Sequence, residues 1–92
     1  MNKKELITIV FTPKAEKQLS SLSKTIQKQL VEKIEKIKPN QQNNNIKKLI
    51  GYSDLYRLRV GDYRVIFQIK HTTLLILILK IGHRKDIYKH LI

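Results

Sequence analysis

Apolar positions change their period along the chain, and each change marks a new element. Leu6, Ile7, Thr8, Ile9, Val10 and Phe11 form one β-branched, apolar run, the signature of a strand. Thr12-Pro13 follows; threonine caps helices well and proline suits the first helical position, so the strand hands over to a helix there. From Pro13 the apolar residues Ala15, Leu19 and Leu22 recur at helical spacing, and Ser23 is placed to cap a second helix. That helix carries Ile26, Leu30, Val31, Ile34 and Ile37 on one stripe, with lysine and glutamate elsewhere, until Pro39 stops it. The two form a helical hairpin with one apolar side.

The polar run Asn40 to Asn45 is low in complexity and predicts a surface loop. After Gly51 the period becomes two, and Gly61-Asp62 separates two alternating runs as a two-residue hairpin turn. Such a turn fixes the register: Val60 faces Tyr63, Arg59 faces Arg64, Leu58 faces Val65 and Arg57 faces Ile66. One face then carries Leu58, Val60, Tyr63, Val65 and Phe67, and the other Arg57, Arg59 and Arg64. A further strand, about Thr73 to Ile81, is apolar on both faces, as suits an interior position, and Gly82 ends it. The tail from His83 to Ile92 is compatible with a short helix, with Arg84 and Tyr88 on one face and Ile87 and Leu91 on another. The expected fold is α+β: an N-terminal strand, a helical hairpin, a three-stranded antiparallel meander and a short C-terminal helix, with the helices on one face of the sheet. Residues 1–92 are expected to make one domain, since the length leaves room for a single core.

Charge sharpens this picture. Lys and Arg number 19 against 7 Asp and Glu, a formal net charge of +12. That is more than solubility needs, and it costs stability through self-repulsion. An anionic counterpart is implied: nucleic acid, a membrane surface or an acidic protein. The absence of cysteine excludes disulfides, thiol catalysis and Cys-ligated metal. The run Leu6 to Phe11 is too short for a signal peptide core, and Leu74 to Leu79 falls far short of the ~20 apolar residues of a membrane-spanning helix. A cytoplasmic protein with no membrane partner is expected.

Candidate chemistry follows from the hairpin. Arg59 directly opposite Arg64 is a like-charge pair that destabilises an empty sheet. With Arg84, His83 and Tyr88 just past the end of the last strand, these arginines suit a phosphodiester. Guanidinium groups bind phosphate oxygens bidentately, stay charged, and stabilise the added charge of a pentacovalent transition state. The ordinary reading of an arginine-bearing strand is a solvated outer face, and that of the lysines on the second helix likewise.

The blocks Leu49-Ile50-Gly51, Tyr56-Arg57-Leu58-Arg59-Val60-Gly61-Asp62-Tyr63-Arg64-Val65-Ile66-Phe67 and Ile81-Gly82-His83-Arg84-Lys85-Asp86-Ile87-Tyr88 resemble the RelE branch of the RelE/ParE toxin superfamily. The likeness extends over the preceding strand and helical hairpin. It implies a RelE-like β-α-α-β-β-β domain, the toxin of a type II toxin–antitoxin system. It further implies an endoribonuclease that cleaves messenger RNA in the ribosomal A site by attack of the 2′-hydroxyl, with no metal or small-molecule cofactor, restrained by a cognate acidic antitoxin. On this resemblance Arg64, Arg84 and Tyr88 are the catalytic candidates and Arg57 and Arg59 bind RNA phosphates; His83, since imidazole in general titrates near working pH, is added as a catalytic candidate on chemical grounds, and Lys85 as a further phosphate contact. Some family members carry lysine where this chain has Arg57 and Arg59; arginine cannot readily lose its proton, so acid and base roles move toward His83 and Tyr88. Two rivals stand beside this reading: a ParE-like inhibitor of DNA gyrase without nuclease activity, and a plain RNA-binding module whose charge only neutralises phosphates.

Overall fold

The computed structural model describes residues 7–38 and 44–89. Strand β1 (Thr8–Phe11) leads into α1 (Pro13–Ser20) and α2 (Lys24–Glu35), followed by β2 (Ile46–Lys48), β3 (Leu55–Val60), β4 (Tyr63–Lys70) and β5 (Leu75–His83). The strands form one sheet in the order β1-β5-β4-β3-β2, with β1 parallel to β5 and the other pairs antiparallel. Both helix starts use the expected caps: Thr12 Oγ1 accepts from the Ala15 N–H (3.1 Å) and Ser23 Oγ from the Ile26 N–H (3.3 Å). Leu30 and Ile34 of α2, with Ala15 of α1, are buried against Leu58, Val65, Phe67, Ile69, Ile76, Ile78 and Ile81, so both helices cover one face of the sheet.

A bulge decides which residues occupy the other face. Phe67 pairs with Ile78 but Ile66 pairs with Lys80, which leaves Leu79 unmatched on β5. The Thr12 hydroxyl, donating to the Leu79 carbonyl (3.3 Å), ties this irregularity to the start of α1. Ile78 and Ile81 are three residues apart and would otherwise point to opposite faces; the extra residue lets both enter the core. It also turns Lys80 and Gly82 to the side that carries Ile66 and Arg64.

Several expectations are corrected. The sheet has five strands, because Ile46–Lys48 pairs with β3. Its two lysines hide the alternation, and a short lysine-bearing edge resists further strand addition. Helix α2 ends at Glu35: the Lys36 N–H donates to the Lys33 carbonyl (3.2 Å) and the Ile37 N–H to the Ile34 carbonyl (3.0 Å), a tightened turn that buries Ile37 beyond the helix. Pro39, the expected stop, lies outside the described residues, as do Leu6, Asn40 to Asn43 and His90 to Ile92. Thr73 and Leu74 belong to the turn before β5, with Leu74 left-handed at φ 52°. Strand β5 passes through Gly82 to His83, since both residues still find partners on β4.

The tail forms consecutive turns over residues 84–89 in place of a helix. Its N–H groups bond mostly three residues back, Asp86 to His83 (2.8 Å) and Lys89 to Asp86 (3.1 Å). A segment this short gains little from helix formation alone, and its anchors to the sheet decide its path. Ile87 is completely buried, and a Cβ on Gly82 would lie 3.5 Å from Ile87 Cδ1. Ile87 therefore packs over Gly82 at a distance that a methyl group would still meet in ordinary contact, on the face opposite the helices.

Candidate nucleic-acid interface

The hairpin turn builds the site. Gly61 has φ 59° while Asp62 is not left-handed, the pattern of a type II′ turn. The pairing is Val60 with Tyr63, Arg59 with Arg64, Leu58 with Val65 and Arg57 with Ile66, the register read from the sequence. Arg57, Arg59 and Arg64 thus share the face away from the helices. Arg64 Nη1 donates to the Gly61 and Tyr63 carbonyls, both at 2.9 Å, which holds its guanidinium against the turn. Burial first, then Arg57 and Arg59, and finally Arg84 push the Arg64 pKa below the usual arginine value, while Tyr88 acts in the opposite sense. Positive charge is concentrated here at a cost that an anion would relieve. Arg57 Nε is buried without a hydrogen-bond partner, a donor left free beside the same cluster.

The tail completes the arrangement. The Arg84 N–H donates to the Asp62 carbonyl (2.8 Å) and Arg84 Nε approaches Asp62 Oδ1 (3.4 Å). This pair is largely exposed and orients Arg84 more than it stabilises the fold. Tyr88 is 48% exposed and close enough to Arg64 to influence its charge. An open hollow of about 500 Å³ at the turn is lined by Lys33, Asn45, Arg59, Arg64 and Arg84, with Asp62 on its rim. Four of these side chains are cationic, and the one carboxylate among the lining residues already faces Arg84.

The structure therefore gathers Arg59, Arg64 and Arg84 at the hollow, with Arg57 on the same sheet face and both Arg57 and Tyr88 within electrostatic reach of Arg64. It does not bring His83 to them. His83 pairs with Tyr63, so strand alternation sends its ring to the helix-side face, where it meets the Tyr63 ring edge-on at 5.7 Å. Its Nδ1 accepts from the Lys85 N–H (3.1 Å), which places the proton of the neutral ring on Nε2. Lys85 is exposed, does not line the hollow, and bonds through its backbone N–H to His83. Lys33 reads from the sequence as part of a solvated helix face, yet it borders the hollow; a helical position carries no sign of that. Among the described residues, no three His, Asp or Glu side chains converge as a metal site would require.

The facing arginines make a stability prediction. Arg59→Thr removes the like-charge contact with Arg64 and places a β-branched residue on an exposed strand position. It is expected to stabilise the free protein by about 0.5 kcal/mol, raising the melting temperature by roughly 2–4 °C. Thermal unfolding followed by circular dichroism checks this; a lower melting temperature would mean that the pair is not repulsive.

Known proteins share the fold. The family model of the ParE toxin of type II toxin–antitoxin system, parDE, matches residues 9–88. The RelE1 protein of Methanocaldococcus jannaschii is 34% identical over 77 residues, 80% of this chain and 86% of its own length. Toxin RelE3 of the same organism is 41% identical over 46 residues, and the match spans half of each protein. The solved archaeal RelE–RelB complex of Pyrococcus horikoshii OT3 superimposes with a TM-score of 0.71 at 32% identity, covering 87% of this chain and 97% of that one. The chain belongs to the RelE/ParE family of toxins of type II toxin–antitoxin systems. Among the described residues, no helix is long and apolar enough to cross a membrane.

Proposed function

We infer that residues 1–92 form a single RelE-like toxin domain that acts in the cytoplasm as a ribosome-dependent endoribonuclease. The observation that carries this reading is the Arg64 guanidinium fixed on the turn carbonyls, opposite Arg59 and sharing the hollow with Arg84, with Arg57 and Tyr88 within its electrostatic reach. In the proposed reaction the 2′-hydroxyl oxygen of the message attacks the adjacent phosphorus and the bond to the 5′ oxygen breaks. A 2′,3′-cyclic phosphate and a 5′-hydroxyl result. The 2′-hydroxyl gives up its proton and the departing oxygen gains one. Arg64 and Arg84 stabilise the charge on the phosphorane oxygens, Arg57 and Arg59 hold flanking phosphates, and Tyr88 stacks on or orients the RNA and is the candidate for the proton transfers. Lys85 is an outlying phosphate contact.

His83 enters this scheme only weakly, since its ring lies across the sheet with Nδ1 already engaged. His83→Gln is expected to leave cleavage within about threefold of wild type, against the roughly 100-fold or greater loss that removal of a positioned acid or base causes. Single-turnover cleavage of a ribosome-bound message measures it.

An acidic antitoxin is the proposed partner; the Pyrococcus relative was solved in complex with RelB. The face away from the helices offers such a peptide both cations and apolar anchors, with Val10 exposed and Leu75 and Leu77 half-buried. The ParE-like reading keeps one specific support, the family model matched over residues 9–88. Primer extension on a translated message, beside a gyrase supercoiling assay, separates the classes. Discrete cleavage within codons supports the nuclease; intact message with blocked supercoiling supports the gyrase inhibitor; bound but uncut RNA supports a plain binder.

A further inference from the structure

Lys80 lies in a strand that otherwise reads as apolar, and it is the charged side chain buried among the described residues, at 8% exposure. The bulge at Leu79 turns it to the same face as Arg64 and Ile66. An ammonium group at such a depth persists only where something on the protein takes its hydrogen bonds. Here Lys80 Nζ donates to the backbone carbonyl of Lys89. The charged groups that act on it are Lys14 at the start of α1, which opposes its charge, and Asp86 of the tail, which favours it. Asp86 is in turn bridged by Lys89 Nζ at 3.2 Å. Burial, more than either neighbour, lowers the Lys80 pKa, so this hydrogen bond is made against a desolvation cost.

What the bond holds is visible from its place in the chain. Tyr88 sits between Ile87, which is fully buried over Gly82, and Lys89, whose carbonyl Lys80 grips. A half-exposed ring between two anchored neighbours has little freedom to leave Arg64. We propose that Lys80 is a positioning residue, which latches the segment 84–89 onto the sheet so that Tyr88 stands beside Arg64. The role rests on the nuclease reading only for its catalytic consequence; the latch itself is independent of it.

The test uses the full chain with Lys80→Met, which keeps the apolar stem and removes the donor, and Lys80→Gln as a second variant of shorter reach. Amide hydrogen exchange by NMR should show Ile87 and Lys89 exchanging at least about tenfold faster while Ile76 and Ile78 in the core are unchanged. Nuclear Overhauser contacts between the Tyr88 ring and the Arg64 side chain should weaken or vanish. In cleavage, Lys80→Met should lower kcat with little change in KM, and the loss should disappear in a Tyr88→Ala background, as coupling through Tyr88 requires. Unchanged exchange at Ile87 and Lys89 in both variants would overturn the latch, whatever the cleavage assay shows. A loosened tail whose effect on kcat simply multiplies with that of Tyr88→Ala would overturn the positioning role. A wild-type protein that cuts no message would overturn the nuclease reading alone, and the exchange and Overhauser measurements would still decide the latch.

Discussion

Arg64→Ala is expected to slow ribosome-dependent cleavage by about 100- to 1000-fold, the loss found when one well-placed donor to a transition-state oxyanion is removed, or roughly 2.7–4 kcal/mol. Arg64 is singled out by its surroundings. Its Nη1 is fixed on two carbonyls of the turn, so the planar fork is aimed before any RNA arrives. It also lies within electrostatic reach of Arg57, Arg59 and Arg84, which disfavour its charge in the empty protein, a cost that a phosphorane relieves. The same crowding predicts that the alanine variant melts no lower than wild type, which separates a catalytic loss from a folding loss. Arg64→Lys keeps the charge but not the fork, and should fall between the two. The measurement is single-turnover primer extension at saturating toxin. Cleavage by Arg64→Ala within threefold of wild type would remove Arg64 from the chemistry.

The parts of this arrangement that were legible in the sequence are those set by short-range rules. A two-residue turn with glycine first leaves one register open, and Arg59 stands opposite Arg64 as that register demands. Thr12 and Ser23 cap the helices because a hydroxyl at that place satisfies an N–H the helix cannot. The parts that were hidden depend on long-range pairing. An unmatched Leu79 within an apolar run leaves no trace in the pattern, yet it decides that Lys80 and Gly82 face the arginines. With Gly82 read as the end of the strand, His83 was free to join the cluster; pairing with Tyr63 continues the strand by one residue and fixes its ring on the other face. The tail reads as a helix by spacing, but Ile87 packed over Gly82 and Lys80 bound to the Lys89 carbonyl hold it in turns. Tertiary contacts overrode local propensity there.

The same cluster makes RNA binding strongly dependent on salt. Arg57, Arg59, Arg64 and Arg84 together replace about four counterions along a single strand, and each contributes about 0.7 to the slope of log K against log salt. Affinity for a short single-stranded RNA is therefore expected to fall about 50-fold between 50 and 200 mM salt. The slope should drop by about 0.7 in Arg59→Thr, whose side chain is exposed and contributes charge more than geometry. Fluorescence anisotropy with a non-cleavable 2′-deoxy strand isolates binding from reaction. Function and stability are then opposed at Arg59: the substitution that relaxes the free sheet is the one that weakens its hold on phosphate. If Arg59→Thr raised the melting temperature and left the salt slope unchanged, the facing arginines would be a structural burden without a ligand, and the phosphate path would have to leave the hairpin for Arg84 and Lys33.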